Sequence, residues 1–221
     1  MSKVARIQTR DQVWLFDELG TSYLTSVEEI RPNRSRLLIL ERRKAENPKV
    51  RVTLAQAIIR HKLMDLIVQK MTEVGVRIFI PLLTQRTDLK ARNGAGKKKE
   101  RWEKIALSAL KQSGRSLLPD IRLPIFLKEL LEREDHSMKL YLSGRGGRYL
   151  RDVLMLNSAQ HSSFRPESVM LLVGPEGGWT DKEERDILEH DFEAVNLGRY
   201  TFRAETAAIV SVAMIDHFWN T

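Results

Sequence analysis

From Val50 onward the chain alternates short apolar runs with stretches whose apolar residues recur every three or four positions. Two periods in alternation mean repeated strand and helix units, and such units assemble into a mainly parallel sheet covered on both faces. Val50 to Ile59 is predicted as the first strand. Leu63, Met64, Leu66, Ile67, Val68, Met71 and Val74 then fall at helical spacing, and Gly75 stands where a left-handed cap would end that helix. Ile78 to Leu83 is the next strand. A helix from about Lys98 to Ser113 puts Trp102, Ile105, Ala106, Ala109 and Leu110 on one face and cations on the other. Further on, Lys139 to Leu142 predicts a strand and Tyr149 to Leu156 a short helix. Val169 to Val173, an unbroken apolar run, suits a central strand buried on both sides. Thr180 with Glu183 forms a T-x-x-E capping box that starts a helix reaching about Glu189. Ala194 to Leu197 is the last predicted strand, and Glu205 to Trp219 the final helix. That helix is apolar on most faces, which predicts burial on several sides and a homodimer.

Before Val50 no apolar stripe of helix length occurs. Gln12 to Phe16, Ser22 to Val27 and Arg36 to Leu40 are short β-like runs, too few to hold a core of their own. Residues 1–47 are therefore expected to form a small β module packed on residues 48–221, with Asn47-Pro48 at the boundary.

Composition narrows the chemistry. The 221 residues include no cysteine, which excludes disulfides, thiolate metal sites and a thiol nucleophile. The five histidines, His61, His136, His161, His190 and His217, show no paired metal spacing, so no metal is expected. No run reaches the roughly 18 apolar residues of a membrane span, and Met1 to Arg6 lack the apolar core of a secretory signal. A cytoplasmic protein that does not enter membranes is the expectation. Lysine plus arginine number 37 against 29 acidic residues, and much of the excess is clustered. One cluster holds Arg31, Arg34, Arg36, Arg42, Arg43 and Lys44; the other holds Lys97, Lys98, Lys99 and Arg101, with Arg92 upstream. Such patches attract a polyphosphate backbone with salt-sensitive affinity; a solubilising surface is the alternative reading.

Three loops follow consecutive late strands: Ser143-Gly144-Arg145-Gly146-Gly147-Arg148, Gly174-Pro175-Glu176-Gly177-Gly178-Trp179 and Gly198-Arg199-Tyr200-Thr201-Phe202-Arg203. Ligands of open α/β sheets sit outside the carboxyl ends of the strands, which nominates one shared pocket. A nucleotide-phosphate site fits poorly. Gly144 and Gly146 would open a G-x-G-x-x-G motif, but Tyr149 occupies its last position, and no G-x-x-x-x-G-K-[ST] exists. No G-x-S-x-G elbow supports a serine hydrolase.

Leu171 to Trp179, read with Asn196 to Ala207, closely resembles the family of 16S ribosomal RNA uridine N3-methyltransferases, a branch of the SPOUT class. Asp65 to Val76 and Arg101 to Arg115 agree, so the likeness covers about residues 50–221 in order. The resemblance implies an α/β fold with a deep trefoil knot at its carboxyl end, a homodimer built around the knot, and S-adenosylmethionine held by the knot loops. It also makes the amino-terminal strands part of a PUA-like β-barrel, lacking its usual first strands, that helps to hold RNA. This sequence departs from the family where Arg199 replaces a common proline, where Tyr200 to Phe202 replace more aliphatic residues, and where Ser143-Gly144-Arg145 replaces an often acidic position.

What the resemblance implies for individual residues follows. Leu142, Gly174, Gly177, Gly178, Leu197, Gly198, Tyr200 and Phe202 are the expected cofactor-binding residues. Gln112, Ser113 and Arg115, with Arg31 and Arg34 of the β module, are expected to meet ribosomal RNA in the small subunit. Methylation at uracil N3 needs loss of the imide proton and attack on a sulfonium methyl, so the protein must position both reactants and stabilise the developing base anion, which a guanidinium can do. Arg203 is the first candidate, with pairing to Glu205 as its structural alternative. Glu176 and Glu205 are candidates to orient the pocket or accept the proton, and an acid at a helix start is also a favourable dipole partner. Two other functions stay open: methylation of another ribosomal or transfer RNA position, and RNA binding without catalysis.

Overall fold

The computed structural model describes residues 7–17, 20–45, 47–87, 94–133, 135–159 and 165–221. Arg92, His161 and residues 1–6, on which the expectation of no signal segment rests, lie outside them. Among the described residues no helix is long and apolar enough to cross a membrane.

The first part is an antiparallel sheet of β1 (Gln12–Phe16), β2 (Thr21–Ile30) and β3 (Ser35–Lys44), in that order. The predicted runs are its centre, and β2 and β3 extend beyond them. Register shifts at Leu24/Thr25 and Val27/Glu29 let the long pair twist. Leu117 packs against Gly20, so the module rests on the larger domain at this point.

The larger domain runs β4 (Arg51–Ala57), α1 (His61–Val74), β5 (Ile78–Leu83), α2 (Ala95–Ser113), β6 (Asp120–Ile121), β7 (Ile125–Phe126) and α3 (Leu127–Arg133). It continues with β8 (Met138–Leu142), β9 (Arg148–Tyr149), α4 (Leu150–Ala159), β10 (Ser168–Val173), α5 (Asp181–Glu189), β11 (Glu193–Asn196) and α6 (Ala204–Asn220). The sheet order is β6-β5-β4-β10-β8-β11-β9, with β7 also on β5, and these pairs are parallel. The Thr180–Glu183 capping box forms as the sequence predicts, and Gly75 adopts the left-handed cap of α1.

The unbroken apolar run of β10 has a simple physical reason. Val169, Leu171 and Val173 enter one core with residues of α1, α2, α4 and α6, whereas Met170 and Leu172 enter a second core with residues of α3 and α5. Alternate side chains of one strand thus meet apolar layers on both faces.

Four differences from the sequence-based expectation matter. Ile58 and Ile59 leave the sheet after Ala57 and lead into α1. Tyr149 belongs to β9, not to the helix after it, because it pairs with Asn196. Leu197 lies just beyond β11. α3 is an element absent from the sequence-based expectation.

β11 lies between β8 and β9, two strands that are consecutive in the chain. The connection from Ser143 to Gly147 therefore straddles it. Ser143 N donates to Val195 O at 3.0 Å, and Asn196 Nδ2 to Gly147 O at 2.7 Å. Gly147 sits at φ 104°, and a Cβ there would come within 2.5 Å of Ala194 O, so only glycine allows this approach.

Candidate active site

The three predicted loops, carried by the ends of β8, β10 and β11, meet at one cavity of about 1180 Å³. Leu142, Gly174, Gly178, Leu197, Gly198, Tyr200 and Phe202 all line it, as do Glu176, Arg203 and Glu205. Gly177 does not. It faces an adjoining cavity of about 510 Å³, with its carbonyl bonded by Arg86 Nη1.

Local chemistry fixes the loops. Trp179 Nε1 donates to Leu142 O at 2.9 Å and the indole packs over Gly174, tying the β10 loop to the end of β8. Gln56, from β4, donates to Gly174 O at 3.5 Å. Gly178 N closes a turn on Pro175 O at 2.8 Å. Gly198 sits at φ 132° with nothing within 4 Å of an added Cβ, so its bare backbone borders open space. The straddling loop is latched to the start of α5: Arg145 bonds Asp181 and lies 3.6 Å from Glu184, which also accepts from Ser143 Oγ at 3.3 Å. The Arg145 guanidinium holds the Asp181 carboxyl below the ordinary aspartate value, and burial together with Glu184 raises the Tyr141 phenol above its own.

The charged candidates differ in their surroundings. Glu176 pairs with Arg60 at 3.3 Å, but the two side chains are 44% and 80% exposed, a solvated pair of little energetic weight. Arg203 occupies the N-cap position of α6 with extended backbone and an exposed side chain. No described residue bonds its guanidinium, and it forms no ion pair with Glu205. Glu205, in the first turn of α6, is only 8% exposed, and its Oε2 is buried without a hydrogen-bond partner.

The RNA candidates lie elsewhere. Gln112 and Ser113 are exposed at the end of α2. Arg115 folds back instead: its Nε donates to Glu73 O at 2.7 Å, its Nη2 to Val74 O, and it lies 3.5 Å from Asp216. Its fork thus caps the carboxyl end of α1 and links it to α6. Arg31, paired with Glu29 at 2.6 Å, and Arg34 flank the β2–β3 turn of the amino-terminal module.

Sequence reasoning missed a fourth wall. Arg60, His61, Lys62 and Leu63, at the amino end of α1, line the large cavity, and Arg86 lines the smaller one. Their signal was available, since they follow the carboxyl ends of β4 and β5 and obey the rule that nominated the later loops. The cavity as a whole combines flexible-backbone glycines, an arginine-rich wall and one sealed carboxylate. Among the described residues no group of three or more His, Asp and Glu could hold a metal ion. Such a site suits positioning and charge stabilisation.

The chain matches the family model described as RNA methyltransferase domain over residues 45–216. It is 34% identical over 180 residues to the ribosomal RNA small subunit methyltransferase E of Mesomycoplasma hyopneumoniae (strain 232), covering 80% of this chain and 75% of that protein. With the protein of the same name from Synechocystis sp. it shares 31% identity over 221 residues, 98% of this chain and 69% of the relative. A crystal structure of a ribosomal RNA small subunit methyltransferase E from Neisseria gonorrhoeae, bound to S-adenosyl methionine, is similar with a TM-score of 0.85 and 30% identity, covering 99% of this chain and 87% of that one.

Proposed function

The chain belongs to the RNA methyltransferase domain family, and we propose that it methylates 16S ribosomal RNA of the small subunit from S-adenosylmethionine, with N3 of a uridine as the acceptor. The observation that carries this reading is the convergence of three strand-end loops and the start of α6 on one cavity, with Arg203 at its edge, bonded by none of the described residues. Relatives named for small-subunit ribosomal RNA methylation, one of them bound to this donor, support it.

The residues present fit the donor. Gly198 offers bare backbone toward open space, and the buried Oε2 of Glu205 lacks a partner, as expected of a wall that receives a polar, positively charged ligand. Leu142, Gly174, Gly178, Leu197 and Gly198 would hold it, with Tyr200 and Phe202 covering it from the rim. When bound, the donor supplies a sulfonium methyl, an electrophile that needs no metal.

The protein positions the uracil and stabilises the anion left when its imide proton departs. Arg203 provides that stabilisation, because its guanidinium carries a fixed charge, stands at the positive end of α6, and pairs with no acid among the described residues. The proton leaves to water at the cavity mouth. Glu176 lines both this cavity and the adjoining one, with Arg60 beside it in a solvated pair.

The straddling of β11 by the Ser143–Gly147 connection supports a trefoil knot here. α6 supports a homodimer, since Val212, Ile215 and Trp219 are buried while Ile209 and Val210 stay partly exposed and belong to neither core. β1 to β3 are read as a partial PUA-like module that brings Arg31 and Arg34 to the RNA, with Gln112 and Ser113 as a second contact. The site of action is the cytoplasm, where small subunits are assembled.

Calorimetry with S-adenosylmethionine, followed by methyl transfer to small subunits and mass mapping of the modified nucleotide, tests the proposal. Binding and a methylated uracil N3 are expected. Absence of binding heat at millimolar donor ends the enzyme reading, and a methyl group at another atom ends the N3 assignment. Light scattering that finds a monomer at micromolar concentration ends the dimer.

A further inference from the structure

We infer that Glu205 is the residue by which the cavity distinguishes the charged methyl donor from its neutral product. The inference rests on the methyltransferase reading above. Glu205 lines the large cavity, is 8% exposed, and has one carboxylate oxygen sealed from solvent and unbonded. Among the described residues no cation pairs with it. Arg60, itself 80% exposed, lies 3.3 Å from Glu176, and Arg203, two residues before Glu205, is exposed. The amino end of α6 contributes partial positive charge but no hydrogen bond to Oε2. A carboxylate so placed gains most from a positive charge brought close in a poorly solvated wall.

Beside its α-carboxylate the donor carries two such charges, a sulfonium and an α-ammonium; the product keeps the ammonium and carboxylate alone and is neutral overall. Methyl transfer breaks the carbon–sulfur bond with its electron pair left on sulfur, and the new bond forms from the methyl carbon to the uracil nitrogen, whose proton has gone to water. The sulfonium charge thereby disappears. Attraction between Glu205 and the sulfonium holds the donor and is lost in the product, which then leaves more readily. The same attraction stabilises the donor before reaction, so removing it weakens binding without slowing the chemical step.

The experiment is calorimetry of the full chain with three probes: S-adenosylmethionine, S-adenosylhomocysteine, and sinefungin, whose protonated amine stands where the donor has its methyl. The unaltered protein is expected to bind both charged probes roughly tenfold more tightly than the neutral product, the scale of one close charge pair in a partly screened site. Glu205→Gln should lose about that factor for the charged probes and keep product affinity within about twofold. Its KM for the donor should rise while the single-turnover rate at saturating donor does not fall. Equal loss for all three probes would place Glu205 on a group that donor and product share, and overturn the inference. So would an unchanged ratio in a folded Gln variant, which would leave the acid a helix-start partner. If the variant does not fold, the unaltered protein decides: product bound as tightly as donor and sinefungin overturns the inference. No binding of any probe would instead strike the methyltransferase reading itself.

Discussion

The two sheets of this chain both carry apolar runs and end in opposite states. In β4 and β10 nearly every side chain is buried, because helices cover both faces. In β3, Leu38, Ile39 and Leu40 are 51%, 59% and 47% exposed, and Trp14 on β1 is 39% exposed. Among the described residues the amino-terminal sheet has no second layer of its own, and its aromatic faces take cations: Arg43 lies 4.8 Å over the Trp14 ring and Arg42 lies 5.9 Å over Tyr23. Burial on two sides makes a rigid frame for the candidate cavity. The amino-terminal sheet, with arginines on its aromatics, presents a cationic face instead.

Stability should separate the two regions most widely. Leu54→Ala, at a fully buried position of β4, is expected to cost about 2–5 kcal/mol in urea unfolding. Ile39→Ala on β3 should change stability by no more than about 0.5 kcal/mol; a loss equal to that of Leu54 would mean that β3 is covered in solution. Catalysis should divide them next. Arg203→Ala should lower single-turnover methyl transfer to small subunits by about 10²-fold with donor affinity unchanged, and lysine should rescue only in part. Normal turnover in the alanine variant would remove Arg203 from the mechanism. Arg31→Ala with Arg34→Ala should leave the saturated rate alone and instead flatten the salt dependence of RNA affinity, by up to about one in logarithmic slope for each phosphate no longer neutralised. An unaltered slope would mark the module's arginines as solubilising. The smallest effect belongs to the latch. The folded Asp181 carboxyl titrates below its unfolded value, so the latch's contribution is full above the ordinary aspartate range and is lost as pH falls through the lowered value. Hydrogen exchange at residues 143–147 should quicken slightly in that acid window and lose its pH response in Arg145→Met.

Much of this division was legible in periodicity alone. β5 falls where its apolar run predicts, and β4, β8, β10, β11 and α6 lie within a few residues of the expected positions. What escaped was structure created by partners. β6, β7 and β9 have two residues each, too short to show a period, and β9 exists because Asn196 and Val195 arrive beside it. α3 does carry helical spacing in Leu127, Leu130 and Leu131, but over one short stretch that follows strands too brief to flag it. In the cavity, glycines and strand ends identified three walls. Arg60 and Lys62 were harder to find because no turn glycine advertises them. For Arg115 the sequence offered a cation after a helix; only packing shows that the helix it caps is α1 rather than its own.

The position of β11 also imposes an order in time. During synthesis β8 and β9 emerge first, and the strand that must lie between them is made more than forty residues later. Until it arrives, Gly147 has no Ala194 carbonyl to settle against and Arg148 and Tyr149 have no ladder. The loop that will border the cavity is thus shaped by a segment that leaves the ribosome well after it. A chain interrupted before β11 would have most of its sheet yet neither the β11 loop nor Arg203. The cavity is therefore complete only once synthesis has passed the start of α6, long after the β1–β3 sheet has left the ribosome.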